Sequence, residues 1–370
     1  MKRVSHLYEK LISTENLVEA IVNVNAGHRW YKGHRKNRTV AWVESDIPAR
    51  TEELREILVK GFTPKPVKRR RRFDKSAGKW RDICEPVLWP DQYVHHALIQ
   101  VLEPVMMKGM DNFCCGSIKG RGIHYGMKAM KRWMKNDPKG TRWCLEMDIH
   151  HFYNSLKPEV VMDRLKRLVK DKKVLELAQS VMAEGVLIGL YPSQWFANTS
   201  LQPLDVMIRQ NGATHYLRYM DNFTVFSRSK RTLRKILELS GKWLNAHGME
   251  LKGNWQIFRS STRLPCGLGY RFGSGFTLLR KRNLLRIKRQ LQKYYKKLAR
   301  GKRVLPLMAC GIISRLAQLK HCNSATIYRR IVRSGTVREL KKIVRENHIK
   351  EMIRWNLCSE GPATARPCAL

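Results

Sequence analysis

HYLRYMDNFTVF, residues 215–226, decides how the rest of the chain is read. Two apolar runs flank Tyr219-Met220-Asp221-Asn222, the pattern of two strands joined by a tight turn. Asp and Asn suit such turns because their side chains bond the local backbone. Taken alone, the stretch is therefore accounted for by a plain hairpin. A second acid changes that reading. TRWCLEMDIHHF (141–152) alternates apolar Trp143, Leu145 and Met147 with polar neighbours and reads as a strand with Asp148 at its end. If the two strands are neighbours, the Asp148 and Asp221 carboxylates converge. Two converging carboxylates are what two divalent cations roughly 3.5–4 Å apart require, and hard cations such as Mg²⁺ take oxygen ligands. One ion would activate an attacking hydroxyl and the other would steady a triphosphate, which is nucleotidyl transfer.

Composition points the same way. The 370 residues are 43% hydrophobic, enough for a sizeable core and two or three domains or subdomains. Lys and Arg number 72 against 30 Asp and Glu, a formal net charge of +42. Such an excess repels itself unless polyanions relieve it, and each neutralised phosphate releases counterions. Nucleic acid is the natural partner, and an acidic membrane surface is the rival. No stretch approaches the ~20 apolar residues of a spanning helix, and MKRVSHLYEK lacks the apolar core of a signal peptide. The expectation is a cytoplasmic protein without a membrane partner. Nine Cys without a CxxC pair argue against both a zinc site and a disulfide framework. His95-His96 and His150-His151 are adjacent pairs, which do not share a face of a helix or strand.

Along the chain, residues 1–62 read as a mostly helical, basic extension. KPVKRRRRFDKSAGKWRDICEP (65–86) reads as two extended arms. DQYVHHALIQVLEPVM (91–106) reads as a helix with Asp91 at its start, followed by a Gly-rich loop over 116–122 and a basic helix. Helical segments are expected over 158–184, 193–211, 230–247 and 283–350, and short strands near 249–259 and 264–272. LLRKRNLLRIKRQLQKYYKKLARGKR (278–303) carries Leu284, Leu285, Ile287, Leu291 and Tyr295 among dense Lys and Arg. It reads as an amphipathic helix lying along a nucleic-acid backbone, with a membrane-surface helix as the alternative. Strands interleaved with long helices give an α+β core with a separate helical appendix.

These segments carry a resemblance. MDIHHFYNSL resembles motif A of reverse transcriptases, and RYMDN resembles motif C, usually Tyr-x-Asp-Asp. IGLYPSQWFANTSLQPLD (188–205) resembles motif B. GKWRDICEP (78–86) resembles the fingers segment, and SIKGRGIHYGMKA (117–129) a neighbouring motif of prokaryotic members. The segment from Met249 through Lys252 resembles motif D, and PCGLGYRF (265–272) motif E. Seven such segments in order are specific where one would not be. The resemblance implies a right-hand polymerase: an N-terminal helical extension over 1–62, fingers over 63–140, a palm with an antiparallel sheet over 141–275, a basic α-helical thumb over 276–355 and a disordered tail over 356–370. It implies Asp148 and Asp221 as ligands of two Mg²⁺ ions, or Mn²⁺ in their place, with the Ile149 carbonyl as an extra ligand. Tyr153 matches the steric gate against a ribose hydroxyl. Lys79 and Arg81 match the residues that grip the incoming dNTP. Lys252 matches a general acid for pyrophosphate. Lys119, Arg121, His124, Arg280, Lys281, Arg282, Arg286, Lys288 and Arg289 are the expected nucleic-acid contacts.

Motif B narrows the family. Gly189, three residues, then Ser193-Gln194 is similar to the pattern of reverse transcriptases of diversity-generating retroelements, which copy a template-repeat RNA into cDNA and miscopy adenines. Ser193 and Gln194 would then lie under the nascent base pair, and Ser193 also reads as the cap of the helix beginning there. Asn222 departs from the second Asp of motif C. An amide oxygen ligates Mg²⁺ without charge, so Asn222 stays among the catalytic candidates with weaker metal binding expected. A retroelement enzyme implies a small basic accessory protein as a further partner. Bacterial anti-phage defence reverse transcriptases, which use a dedicated noncoding RNA or no external template, form the second reading. A nucleic-acid-binding scaffold with an inactive palm is the third. A group II intron maturase is the fourth and weaker one, because no DNA-binding or endonuclease domain is read after the thumb.

Overall fold

A computed structural model describes residues 2–28, 37–74 and 78–358, the side chains of Lys79 and of 348–358 excepted. Lys79 and the expected disordered tail thus fall outside the described side chains, and 359–370 outside the described residues. The chain divides after Leu268 into two compact units.

The first unit opens with helices α1 (Leu7–Leu11), α2 (Thr14–His28), α3 (Arg38–Ser45) and α4 (Ile47–Lys60). The last two begin at side-chain caps: Asn37 accepts from the Thr39 N–H and Asp46 from the Ala49 N–H, each satisfying a donor that the first helical turn leaves open. Strands β1 (Lys68–Asp74) and β2 (Lys79–Glu85) pair antiparallel, as the two extended arms imply. Next comes α5 (Tyr93–Met107), apolar on nearly every side and buried at ten positions from Tyr93 to Met106, which makes it the central helix of the main core. Asp91 does not cap it. That carboxylate is buried and accepts from the Lys65 N–H at 2.9 Å, tying down the segment before β1.

Helix α6 (Ile123–Asn136) leads to β3 (Trp143–Asp148), α7 (Phe152–Ser155), α8 (Pro158–Lys166) and α9 (Lys172–Val181). The single helical segment expected over 158–184 is two helices. The 193–211 segment is likewise split, into α10 (Tyr191–Ser200) and α11 (Gln202–Gln210), because Pro203 cannot donate to the preceding turn and begins a new helix. The hairpin is β4 (His215–Tyr219) and β5 (Asn222–Ser227), followed by α12 (Lys230–Ala246), β6 (Gln256–Arg259) and β7 (Cys266–Gly267). Antiparallel pairing in the order β4-β5-β3-β6 makes β3 a central strand. Leu145, Met147, Phe223 and Val225 feed the core from this sheet, while Trp143 is only half-buried at its far end. The chain therefore has the mixed helix-and-antiparallel-sheet fold expected of a right-hand polymerase.

The second unit holds the hairpin β8 (Tyr270–Phe272) and β9 (Thr277–Leu279), then α13 (Lys281–Ala299), α14 (Pro306–Ala317), α15 (Ala325–Ile331) and α16 (Thr336–Cys358). The long helical region is thus several helices, broken where Gly301, Pro306 and Gly335 stand. In α13 the buried stripe is Ile287, Leu291 and Tyr294; Leu285, expected inside, is exposed. Among the described residues no helix is long and apolar enough to cross a membrane.

Candidate active site

Register brings the two acids together. Asp148, the last residue of β3, lies directly across from Asn222, the first of β5. Asp221 precedes Asn222 in the turn, and its carbonyl accepts from the Ile149 N–H at 3.2 Å. One Asp148 oxygen is buried without a hydrogen-bond partner. Burial pushes the Asp148 pKa up to about 6, and the charge of the neighbouring Asp221 adds to the shift. Lys252 opposes both. An orphaned buried carboxylate oxygen beside a second carboxylate is a costly arrangement that a hard cation would relieve. The donor set fits Mg²⁺ or Mn²⁺ on that ground.

Lys252 reaches this pair because the chain after α12 runs back along the end of β3. The His150 N–H donates to Glu250 C=O at 2.8 Å, and the Lys252 N–H to Asp148 C=O at 2.8 Å. The ammonium stands 3.4 Å from Asp148. Asn222 has a partner of its own: its amide donates to Asp221 at 3.0 Å. A second aspartate could not make that bond when ionised. Two non-glycine residues beside the carboxylates adopt left-handed backbone, His151 at φ 45° and Met220 at φ 55°. Such conformations persist only where surrounding contacts enforce them.

The Tyr153 ring is half-buried in α7. Burial first, then the nearby Asp221 charge, raises its hydroxyl pKa, while Arg81 pulls the other way. Tyr153 thus lies within electrostatic reach of both Asp221 and Arg81. Arg81 is oriented by Asp74 across the hairpin, at 2.9 Å. The hairpin itself is docked by motif B: Cys84 N–H donates to Ile188 C=O at 2.8 Å, and a Cβ on Gly189, at φ 116°, would stand 2.2 Å from the Cys84 carbonyl oxygen. That glycine is required by close backbone approach. Ser193 does not cap α10. The helix starts earlier, with Leu190 at the cap position, and Ser193 is buried in the first turn while Gln194 is exposed.

Other expected contacts separate into groups. Arg121 is half-buried and donates to Asp111 C=O at 2.9 Å, whereas Lys119 and His124 are exposed. In the second unit Arg280, Lys281, Arg282, Arg286 and Arg289 line one open groove around Leu285; Lys288 is exposed but outside that lining.

The sequence reading missed what holds motif C. Arg218, fully buried, makes a two-pronged bond to Asp205 at 2.7 Å on each prong. Its guanidinium also donates to Asn198 Oδ1 at 2.9 Å and to Met220 C=O at 3.2 Å. The Tyr216 hydroxyl donates to the same Asp205. Gly116 lets this turn pack closely, since a Cβ there would meet Met220 at 2.7 Å. The signal was available: an arginine in an apolar strand, on the same side as Tyr216, needs a buried acid.

A family model described as reverse transcriptase (RNA-dependent DNA polymerase) matches residues 68–256, a span that holds β1, the hairpin turn and both carboxylates. The chain belongs to the reverse transcriptase family. Among curated proteins it is 31% identical over 107 residues to nuclear intron maturase 1, mitochondrial, of Arabidopsis thaliana, covering 28% of this chain and 14% of that protein. It is 23% identical over 164 residues to the group II intron-encoded protein LtrA of Lactococcus lactis subsp. cremoris, covering 44% of this chain and 26% of that one. The chain thus spans about a quarter or less of the length of these relatives. Solved structures similar to it include telomerase from Candida albicans with a fragment of telomeric RNA (13% identity, TM-score 0.46, 80% of this chain and 58% of that one). Apo telomerase from Candida tropicalis is another (12%, TM-score 0.48, 83% and 67%).

Proposed function

We propose that this chain copies RNA into DNA, with Asp148 and Asp221 as the acids at the reacting phosphate. The observation that carries the reading is the β3–β5 register, which puts Asp148 opposite Asn222 and beside Asp221 with one buried carboxylate oxygen unpartnered. Asp148 and Asp221, with the Ile149 carbonyl, would hold two Mg²⁺ ions, which when bound supply activation of the primer hydroxyl and charge neutralisation at the leaving pyrophosphate. Tyr153 would close the pocket against a ribose 2′-hydroxyl. Arg81, held by Asp74, would grip the triphosphate of the dNTP together with Lys79. Lys252 would give a proton to the departing pyrophosphate. Asn222 orients the Asp221 carboxylate through its amide. In this reading residues 63–140 serve as fingers, 141–275 as palm and 276–355 as thumb, and the basic groove of α13 holds the template–product backbone.

For the template, the Gly189-x-x-x-Ser193-Gln194 pattern supports error-prone copying of a template-repeat RNA of a diversity-generating retroelement, with a small basic accessory protein. Discrimination by one pocket contact is worth only ~1–3 kcal/mol, so a changed motif B is enough to loosen base selection. The maturase relatives favour a second reading, action on a structured intron-like RNA. A defence enzyme with a dedicated noncoding RNA is the remaining template class. Sequencing the nucleic acid that copurifies with the native chain and with Asp221→Ala separates them. The retroelement reading expects one discrete RNA and cDNA substituted at adenines, absent from Asp221→Ala. Faithful cDNA of an intron-like or other noncoding RNA overturns it.

A further inference from the structure

The β1–β2 hairpin has two faces, and the polymerase reading uses one. In an antiparallel pair, directly opposed residues share a face. Arg70 and Arg72 therefore lie with Ile83 and Arg81, while Arg69, Arg71 and Phe73 lie with Cys84, Asp82 and Trp80 on the other side. On that second face the tip is aromatic. Phe73 and Trp80 are cross-strand partners with ring centroids 5.3 Å apart in edge-to-face geometry. Water reaches 47% of Phe73 and 57% of Trp80, so much of each ring surface is available to a ligand.

The arginines around the tip are not equivalent. Arg69 pairs with Glu184, Arg70 and Arg72 with Glu85, and Arg81 with Asp74. Arg71 instead places its guanidinium 5.5 Å from the Trp80 ring centroid. Asp82 lies opposite Arg71 on the same face. An aromatic pair with one guanidinium at its edge is what this face offers.

We infer that Phe73, Trp80 and Arg71 form a stacking platform for unpaired bases of single-stranded nucleic acid, on the hairpin face turned away from Arg81. Every base has a π face, so an exposed aromatic pair takes any sequence. A guanidinium beside the ring adds a planar group that both stacks and donates to phosphate. The net charge of +42 favours a polyanion over a basic or apolar protein surface as occupant. RNA and DNA strands share this chemistry. Such a platform holds a strand whether or not the chain polymerises.

Fluorescence anisotropy of the full chain in EDTA, without dNTPs, tests it. The probes are oligouridylate, oligothymidylate and a fully abasic DNA strand, each about 12 nucleotides long. The wild type is expected to hold the base-bearing strands about tenfold or more tighter than the abasic one. Phe73→Ala/Trp80→Ala is expected to lose that preference while keeping abasic binding, and Trp80→Phe to retain it. The uridylate and thymidylate arms tell which strand the platform prefers. A double variant that keeps the full base preference overturns the inference, as does a wild type that binds the abasic strand equally well; the aromatic pair then closes the hairpin or meets a protein. With neither metal nor dNTP present, failure here is distinct from failure of DNA synthesis.

Discussion

Replacing Asp148 by Asn is expected to stabilise the metal-free protein. Burial and the neighbouring Asp221 raise the Asp148 pKa to about 6 from an ordinary value of 3.8. Between these values the native state keeps a proton that the unfolded chain releases, so stability falls as pH rises through the window from about 4 to about 6. Above it the whole cost stands. Raising the pKa from 3.8 to about 6 corresponds to about 3 kcal/mol. The Asp148 side chain is 24% exposed, so solvent screens only part of this. Asn keeps the shape and removes the charge. It also removes the ion pair with Lys252, which at 3.4 Å from a half-exposed ammonium is worth little. Urea unfolding in EDTA should therefore find Asp148→Asn about 2–3 kcal/mol more stable than wild type near pH 7.5, with the gain gone below about pH 4. Added Mg²⁺ should close the gap by stabilising the wild type alone. An Asn variant no more stable at neutral pH, or a gain that ignores pH, would refute the reasoning.

Other changes probe the frame around the pair. Gly189→Ala forces a side chain onto the Cys84 carbonyl at positive φ and should cost about 2 kcal/mol or more in urea unfolding, with weaker dNTP binding as the hairpin is displaced. Arg218→Met strands the buried Asp205 and should cost ~3–5 kcal/mol, whereas Arg218→Met with Asp205→Leu should cost distinctly less. Asn222→Asp exchanges the bond to Asp221 for a third carboxylate. Titrating activity against Mg²⁺ and Mn²⁺ should find a lower Mg²⁺ requirement in the variant, and identical requirements in the two proteins would sink the idea.

Much of this was legible in the sequence because strand periodicity and turn chemistry are local. The alternation of Leu145 and Met147, and the apolar arms around Met220-Asp221, fix which strands exist and where the acids stand on them. Less legible were contacts between distant segments. Nothing near Arg218 in the chain announces Asp205 or Asn198, and the need for Gly189 appears only when β2 lies against it. Helix breaks were missed for a different reason: an apolar period continues across Pro203 or Gly301 even where the backbone cannot. In α13 Leu285 is exposed and Tyr294, not the expected Tyr295, is fully buried, because the stripe is decided by what packs against it. Ser193 looked like a cap, but Pro192 sits one place inside the first turn rather than before it.

The measurement closest to the central claim is extension of a DNA primer on an RNA template by the purified chain, beside Asp148→Ala and Asp221→Ala. The expected result is divalent-metal-dependent dNTP addition by the wild type, abolished in both variants while each still binds the primed template. Extension that survives in Asp221→Ala, or a wild type that binds primed RNA under every metal condition and adds nothing, would contradict the assignment of this carboxylate pair to DNA synthesis.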